Sequence, residues 1–116
     1  MPKPLNNDQR RDIVARFAAA VNMTAAELER WLKTKESLSV GCKRRGDTES
    51  VGHRSGRRLV GLLSLHPAEL EDDDLAHMRK VVGYVARHSV QRPAGDIMHT
   101  RWRYSLMNWG HDPLKR

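Results

Sequence analysis

Lys43, Arg44 and Arg45 stand side by side, and Arg54, Arg57 and Arg58 follow shortly after. Side chains of these types neutralise phosphate oxygens, Arg through a planar fork and Lys as a point charge. A flexible basic loop feeding a basic helix would lay both along a phosphate backbone. Gly and Ser amides at the helix start would add contacts of their own. A second set comprises Arg79, Lys80, Arg87 and Arg92, with Arg101 and Arg103 on a later helix. It extends the same surface if the helices carrying it pack together. The competing reading is an ordinary solvated surface whose arginines pair with Glu69 to Asp74. Among the aromatics, Trp31, Trp102 and Trp109 have the spacing of core residues. Tyr104 lies off that stripe and is the candidate for stacking on a base.

Other chemistries find less support. His77 and His88 are eleven residues apart. On one helix that is three turns, roughly 16 Å along the axis, too far to share an ion. His111 and Asp112 would need partners that the sequence does not identify, so no metal or cofactor is expected. Cys42 beside three cations has the setting of a reactive thiolate, yet no base is fixed near it. No nucleophile–base pair, phosphate loop or metal-ligand motif occurs, and a non-enzymatic role is expected.

The charge that motivates the phosphate reading is unevenly spread. The 116 residues carry a net charge of +7. Residues 41–58 hold six basic and two acidic groups, and residues 79–116 hold eight and two. Between them, residues 59–78 hold five acids and no Lys or Arg. Hydrophobic residues at 39% and charged residues at 30% suit one folded soluble domain over residues 1–116. No apolar run is long enough to span a bilayer, and the first residues lack the apolar core of a secretory signal. A single cysteine allows no internal disulfide and fits a reducing compartment. A cytoplasmic location is expected, nucleoid-associated in a bacterium, with no membrane partner.

Periodicity supplies the elements that must position these residues. Asp8–Val21 reads as a helix through Ile13, Val14, Phe17 and Val21. A second helix starts at Thr24, where Thr24-Ala25-Ala26-Glu27 is a capping box; Leu28, Trp31 and Leu32 form its apolar stripe. Residues 35–49 are rich in turn formers and read as an irregular basic loop. A third helix spans Ser50–Ser64, with Val51, Leu59, Leu62 and Leu63 on one face. Gly52, Gly56 and Gly61 weaken it but permit a close approach to another helix or to a phosphate. Asp72–Gln91 is the clearest helix, with Leu75, Met78, Val81, Val82 and Val85 on one face. Its opening acids, Asp72 to Asp74, complement the helix dipole and need no acidic function. A last helix spans Thr100–Asn108, with Gly110 as its C′ residue. The expected fold is all-α, with four to five helices.

Several phrases resemble one family. They are Val21-Asn22-Met23-Thr24 with Trp31-Leu32; Ser50-Val51-Gly52-His53 with Ser55-Gly56-Arg57; His77-Met78-Arg79-Lys80 with Tyr84, Arg87-His88 and Gln91-Arg92-Pro93; and Trp102-Arg103-Tyr104-Ser105-Leu106 with Asn108-Trp109-Gly110-His111-Asp112-Pro113. In this order they resemble the domain-of-unknown-function family numbered 3140, found in bacteria and fungi. The resemblance covers nearly the whole chain. It implies no catalytic residue, and because some members are labelled DNA-binding, it is compatible with a nucleic-acid role. Thr24 to Leu32 also resembles the first helix of SAP-type DNA-binding modules.

The function expected from the residues is weakly specific binding of double-stranded DNA through phosphate contacts, with RNA as a variant. The contact set is Lys43, Arg44, Arg45, Arg54, Arg57, Arg58, Arg79, Lys80, Arg87, Arg101 and Arg103, with Tyr104 as the aromatic. About six phosphate contacts imply a slope of log K on log salt near −5. The rival expectation is a protein-interaction module, with the basic patch meeting an acidic partner and apolar helix faces forming a homodimer.

Overall fold

In the computed structural model, which describes residues 4–115, helices begin where a short polar side chain can bond a free backbone amide. Asn6 caps α1 (Asn7–Ala20), Thr24 caps α2 (Ala25–Leu32), and Ser50 caps α4 (Val51–Leu62). Thr100 caps α6 (Arg101–Asn108). At Asn6 and Thr24 the N3 side chain, Gln9 or Glu27, reaches back to the cap amide and completes a capping box. α5 (Asp72–Ser89) begins at the acidic run, where Asp74 accepts a bond from the Glu71 amide at 3.0 Å. The fold is all-α, as the sequence implies, and no strand occurs among the described residues.

One element departs from expectation. Residues 35–49 are not wholly irregular: α3 (Lys35–Ser39) occupies their first part. Thr34 caps it by accepting from the Ser37 amide at 3.1 Å. Its second anchor lies far along the chain. Asn108 donates to the Ser37 carbonyl at 3.0 Å and accepts from the Ser37 hydroxyl and from Trp31 Nε1. The irregular basic segment is therefore shorter, running from Val40 to Glu49.

α1 packs along α5, α2 along α4, and α6 crosses α2, α3, α4 and α5. The core holds Ile13 and Phe17 of α1, Leu28 and Leu32 of α2, Leu59 and Leu62 of α4, and Leu75, Met78, Val81 and Val85 of α5. These are the apolar faces that periodicity picks out. A short 3₁₀ turn, Pro67–Glu69, joins α4 to α5. The α4–α6 contact requires glycine. A Cβ at Gly56 would lie 2.6 Å from the Asn108 carbonyl oxygen, so any side chain there would force the helices apart.

The C-terminal end of α6 fixes the rest. Gly110 has φ of +85°, and the Gly110 and His111 amides bond the Met107 and Leu106 carbonyls at 2.9 and 3.0 Å. This pair of bonds is a Schellman cap with Gly110 at C′. It turns the chain so that the Gly110 carbonyl meets the Asn22 and Met23 amides. No helix among the described residues is long and apolar enough to cross a membrane.

Candidate nucleic-acid interface

The cations of α4 are largely occupied by the protein itself. Arg57 grips Glu49 with both prongs, at 2.6 and 2.7 Å. Arg57 holds the Glu49 carboxyl down at about 2, against the opposing effect of burial and with help from His53. His53 also donates from Nε2 to the Leu32 carbonyl at 2.7 Å, which ties this network to α2. Arg54 lies 3.5 Å from Asp47 and 3.6 Å from Glu49. Arg58 reaches across to α5, 3.2 Å from Asp74 and 3.7 Å from Asp73. The acidic run thus opens α5 and also partners arginine, since Asp72 pairs with Arg10 at 2.9 Å.

The cations of the loop and of α5 behave differently. Among the described residues, Lys43, Arg44, Arg45, Lys80 and Arg87 take part in no ion pair within 4.0 Å. All five are exposed. The loop that carries the first three is held against α4 by a bond from the Val51 amide to the Cys42 carbonyl, 2.8 Å long.

Both sequence blocks meet at the start of α4. Arg44, Arg54 and Arg58 line one cleft together with His77 and Lys80 of α5. An adjoining cleft is lined by Gly41, Cys42, Val51 and Gly52 on one side and by Lys80, Tyr84, Arg87 and His88 on the other. The first turn of α4 lies at their junction, where a helix N-terminus favours an anion. His77 stands in this electropositive setting with its Nε2 2.9 Å from the Ser55 hydroxyl. Burial, then the charges of Arg58 and Lys80, push its pKa below the ordinary value of 6.5, against the pull of Asp74.

Other residues of the expected contact set lie elsewhere. Arg57 faces a groove shared with Glu29, Lys33 and His53 on the far side of α4. Arg79 faces α1, in a groove with Asp12 and Arg16. Arg101 is exposed at the start of α6 and lines neither cleft. Arg103 is a structural clamp: it holds both oxygens of Asp112 at 3.0 Å and donates to the Met98 carbonyl at 2.9 Å. Burial raises the Asp112 carboxyl, but bonds from Arg103 and the Leu114 amide outweigh it and hold the group below its usual value. Tyr104 is half-buried and packs on Trp31 with ring centroids 5.4 Å apart. Arg92 lies over the Trp102 ring, 5.7 Å from its centroid.

Sequence spacing does not reveal the aromatic wall of the second cleft. Tyr84 stacks between Trp109 at 4.2 Å and His88 at 3.9 Å, so α5 and the end of α6 share one column of rings. Trp109 also presses on Gly52, where a Cβ would lie 2.8 Å from its Nε1. The only sequence signal was the absence of bulk at Gly52. No group of three His, Cys, Asp or Glu side chains able to hold a metal occurs among the described residues.

The family described as protein of unknown function, DUF3140, matches residues 16–107, and the chain belongs to it. No curated protein and no solved structure matches the chain.

Proposed function

We propose that the protein binds nucleic acid, double-stranded DNA in preference to RNA, through phosphate contacts centred on the cleft at the start of α4. One observation carries this reading. Arg44 and Lys80 come from different charge blocks, line the same cleft, and have no carboxylate partner within 4.0 Å among the described residues. The contact surface has five cations without an ion pair among the described residues: Arg44, Lys80 and Arg87 line the clefts, Lys43 and Arg45 flank Arg44 on the loop outside them, and Arg54 and Arg58 are flanks already shared with acids. The mechanism is charge neutralisation with release of counterions, without base readout and without a catalytic step. The corresponding role is that of a chromosome-associated accessory protein in the cytoplasm. Five contacts imply a salt slope of roughly −4.5.

The test is anisotropy of a labelled duplex against the double variant Arg44→Gln/Lys80→Gln. Loss of affinity on unrelated sequences alike is expected; unchanged affinity contradicts the reading.

A protein-interaction module is the second reading, and one observation favours it. A groove of about 670 Å³ between α1 and the 3₁₀ turn has an apolar floor of Val14, Ala15, Ala18, Pro67, Ala68 and Leu75, with Asn7, Arg10 and Arg11 also lining it. Under that reading the same double variant leaves duplex binding unchanged, and Ala15→Glu in the groove weakens a protein complex instead.

A further inference from the structure

The two clefts at the start of α4 differ in chemistry and share a wall. The basic compartment, about 230 Å³, takes cations from the loop, α4 and α5. The second, about 430 Å³, is walled by Val51, Tyr84 and Trp109 and floored by the backbone of Gly41 and Gly52. Val51, Lys80 and Trp109 line both. The pair therefore offers a compartment for an anion opening directly onto a larger one lined by Val51 and the edges of two aromatic rings.

The joined clefts favour one form of phosphate. A phosphodiester within a strand has two free oxygens, and its chain must leave on both sides. A terminal phosphomonoester presents three strong acceptor oxygens, a charge of about −1.5 to −2, and a single arm. Arg44 from the loop and Lys80 from α5 are free to take separate oxygens of the monoester, while Arg54 and Arg58 beside them are already held by carboxylates. The single arm leads over Val51 and Trp109 into the ring-walled compartment. There the Ser105 hydroxyl and the His88 ring supply polar edges.

We propose that the joined clefts form one site for a nucleotide bearing a terminal phosphate. The phosphate lies between Arg44 and Lys80, and the nucleoside lies along Val51 and the ring edges of Tyr84 and Trp109. The inference deepens the nucleic-acid reading and rests on the same cleft. It names the end of a nucleic-acid strand, or a free nucleotide of the same chemistry, as the ligand.

Cys42 provides the test, because it is the only cysteine, is exposed, and lines the ring-walled compartment. The probe is the rate of Cys42 alkylation by iodoacetamide in the intact chain. A mixture of the four nucleoside monophosphates is expected to slow it by about fivefold or more at saturation. The nucleosides alone and inorganic phosphate alone, at the same concentration, are expected to change it less than about twofold. Arg44→Gln/Lys80→Gln is expected to abolish the protection, and both positions are exposed, so the fold is retained. A 5′-phosphorylated oligonucleotide that protects better than its hydroxyl counterpart identifies a strand end as the source. Protection by nucleoside monophosphates alone identifies a free nucleotide.

The proposal is overturned if the nucleoside monophosphates leave the rate unchanged, if protection survives in the double variant, or if phosphotyrosine protects equally well. Its failure is separable from that of the wider reading. A duplex that binds while nucleotides fail to protect removes only this site. Nucleotide protection without duplex binding removes only the duplex reading.

Discussion

α4 and the segment formed by the basic loop with α5 carry similar cations, yet they differ in what those cations face. On α4, Arg57 is locked on Glu49, Arg58 reaches Asp73 and Asp74, and Arg54 is shared between Asp47 and Glu49. In the loop and on α5, Lys43, Arg44, Arg45, Lys80 and Arg87 face solvent without a carboxylate of the described residues in ion-pairing reach. The difference teaches that net charge is a poor guide to an interface. A paired arginine holds loop to helix or helix to helix, and an anion must displace a carboxylate to reach it. An unpaired cation meets a phosphate with only water and counterions to release.

Charge reversal on the unpaired side has the largest expected effect. Arg44→Glu/Lys80→Glu is expected to weaken duplex binding about a hundredfold at ~0.1 M salt, since two attractions become repulsions. Anisotropy titration reads the change, and the thermal midpoint is expected to stay near that of the parent because neither side chain has an internal partner.

The paired side is sharpened by Glu49→Gln. Removing this carboxylate strips Arg57 of its bidentate partner and His53 of one contact, and is expected to destabilise the fold by about 2 kcal/mol in urea titration. It also frees Arg57 and leaves Arg54 with Asp47 alone, so duplex affinity is expected not to fall while stability does. The pH dependence has a definite sign. The Glu49 carboxyl titrates at about 2 in the fold against an ordinary 4.5, so its contribution is present above 4.5 and is lost as the pH falls toward 2. Glu49→Gln removes that part of the acid sensitivity, which urea midpoints at neutral and acid pH detect.

A smaller effect separates the two regions one charge at a time. Lys80→Gln or Arg44→Gln should each make the salt slope shallower by about one, whereas Arg57→Gln should leave it unchanged and lower stability. Smaller still is a proton effect at His77. Burial and the Arg58 and Lys80 charges disfavour its protonation in the free protein, with Asp74 opposing and Arg44 and Arg54 lining the same cleft. A bound phosphate relieves that disfavour, so binding takes up a proton there. Duplex affinity is expected to rise about threefold as the pH falls from 8 to 6, and the rise should vanish in His77→Gln.

Much of the fold was legible because its signals are local. Thr24 and Glu27 sit three apart and make the cap they advertise; Gly110 ends α6 as a C′ residue; Asp72 to Asp74 open α5. α3 escaped notice because five residues carry little periodicity and its anchor is Asn108, 71 residues away from Ser37. The identities of the basic residues were equally plain, but their states were not. Arg57 finds Glu49 across the helix start, and Arg103 finds Asp112 only because the Schellman turn folds the tail back. Tyr104 left the candidate surface for the same reason, once α2 brought Trp31 against it. The meeting of Arg44 with Lys80, and the ring column of Trp109, Tyr84 and His88, depend on how α4, α5 and α6 pack. No short window of sequence contains that information.

Under the proposed function, five cations without ion pairs among the described residues form one phosphate-binding surface. The most direct measurement is the anisotropy of a labelled duplex with the intact chain over a series of salt concentrations. A linear fall of log K with log salt, with a slope of roughly −4.5, is the predicted result. Absence of binding at low salt, or a slope near zero, would contradict it.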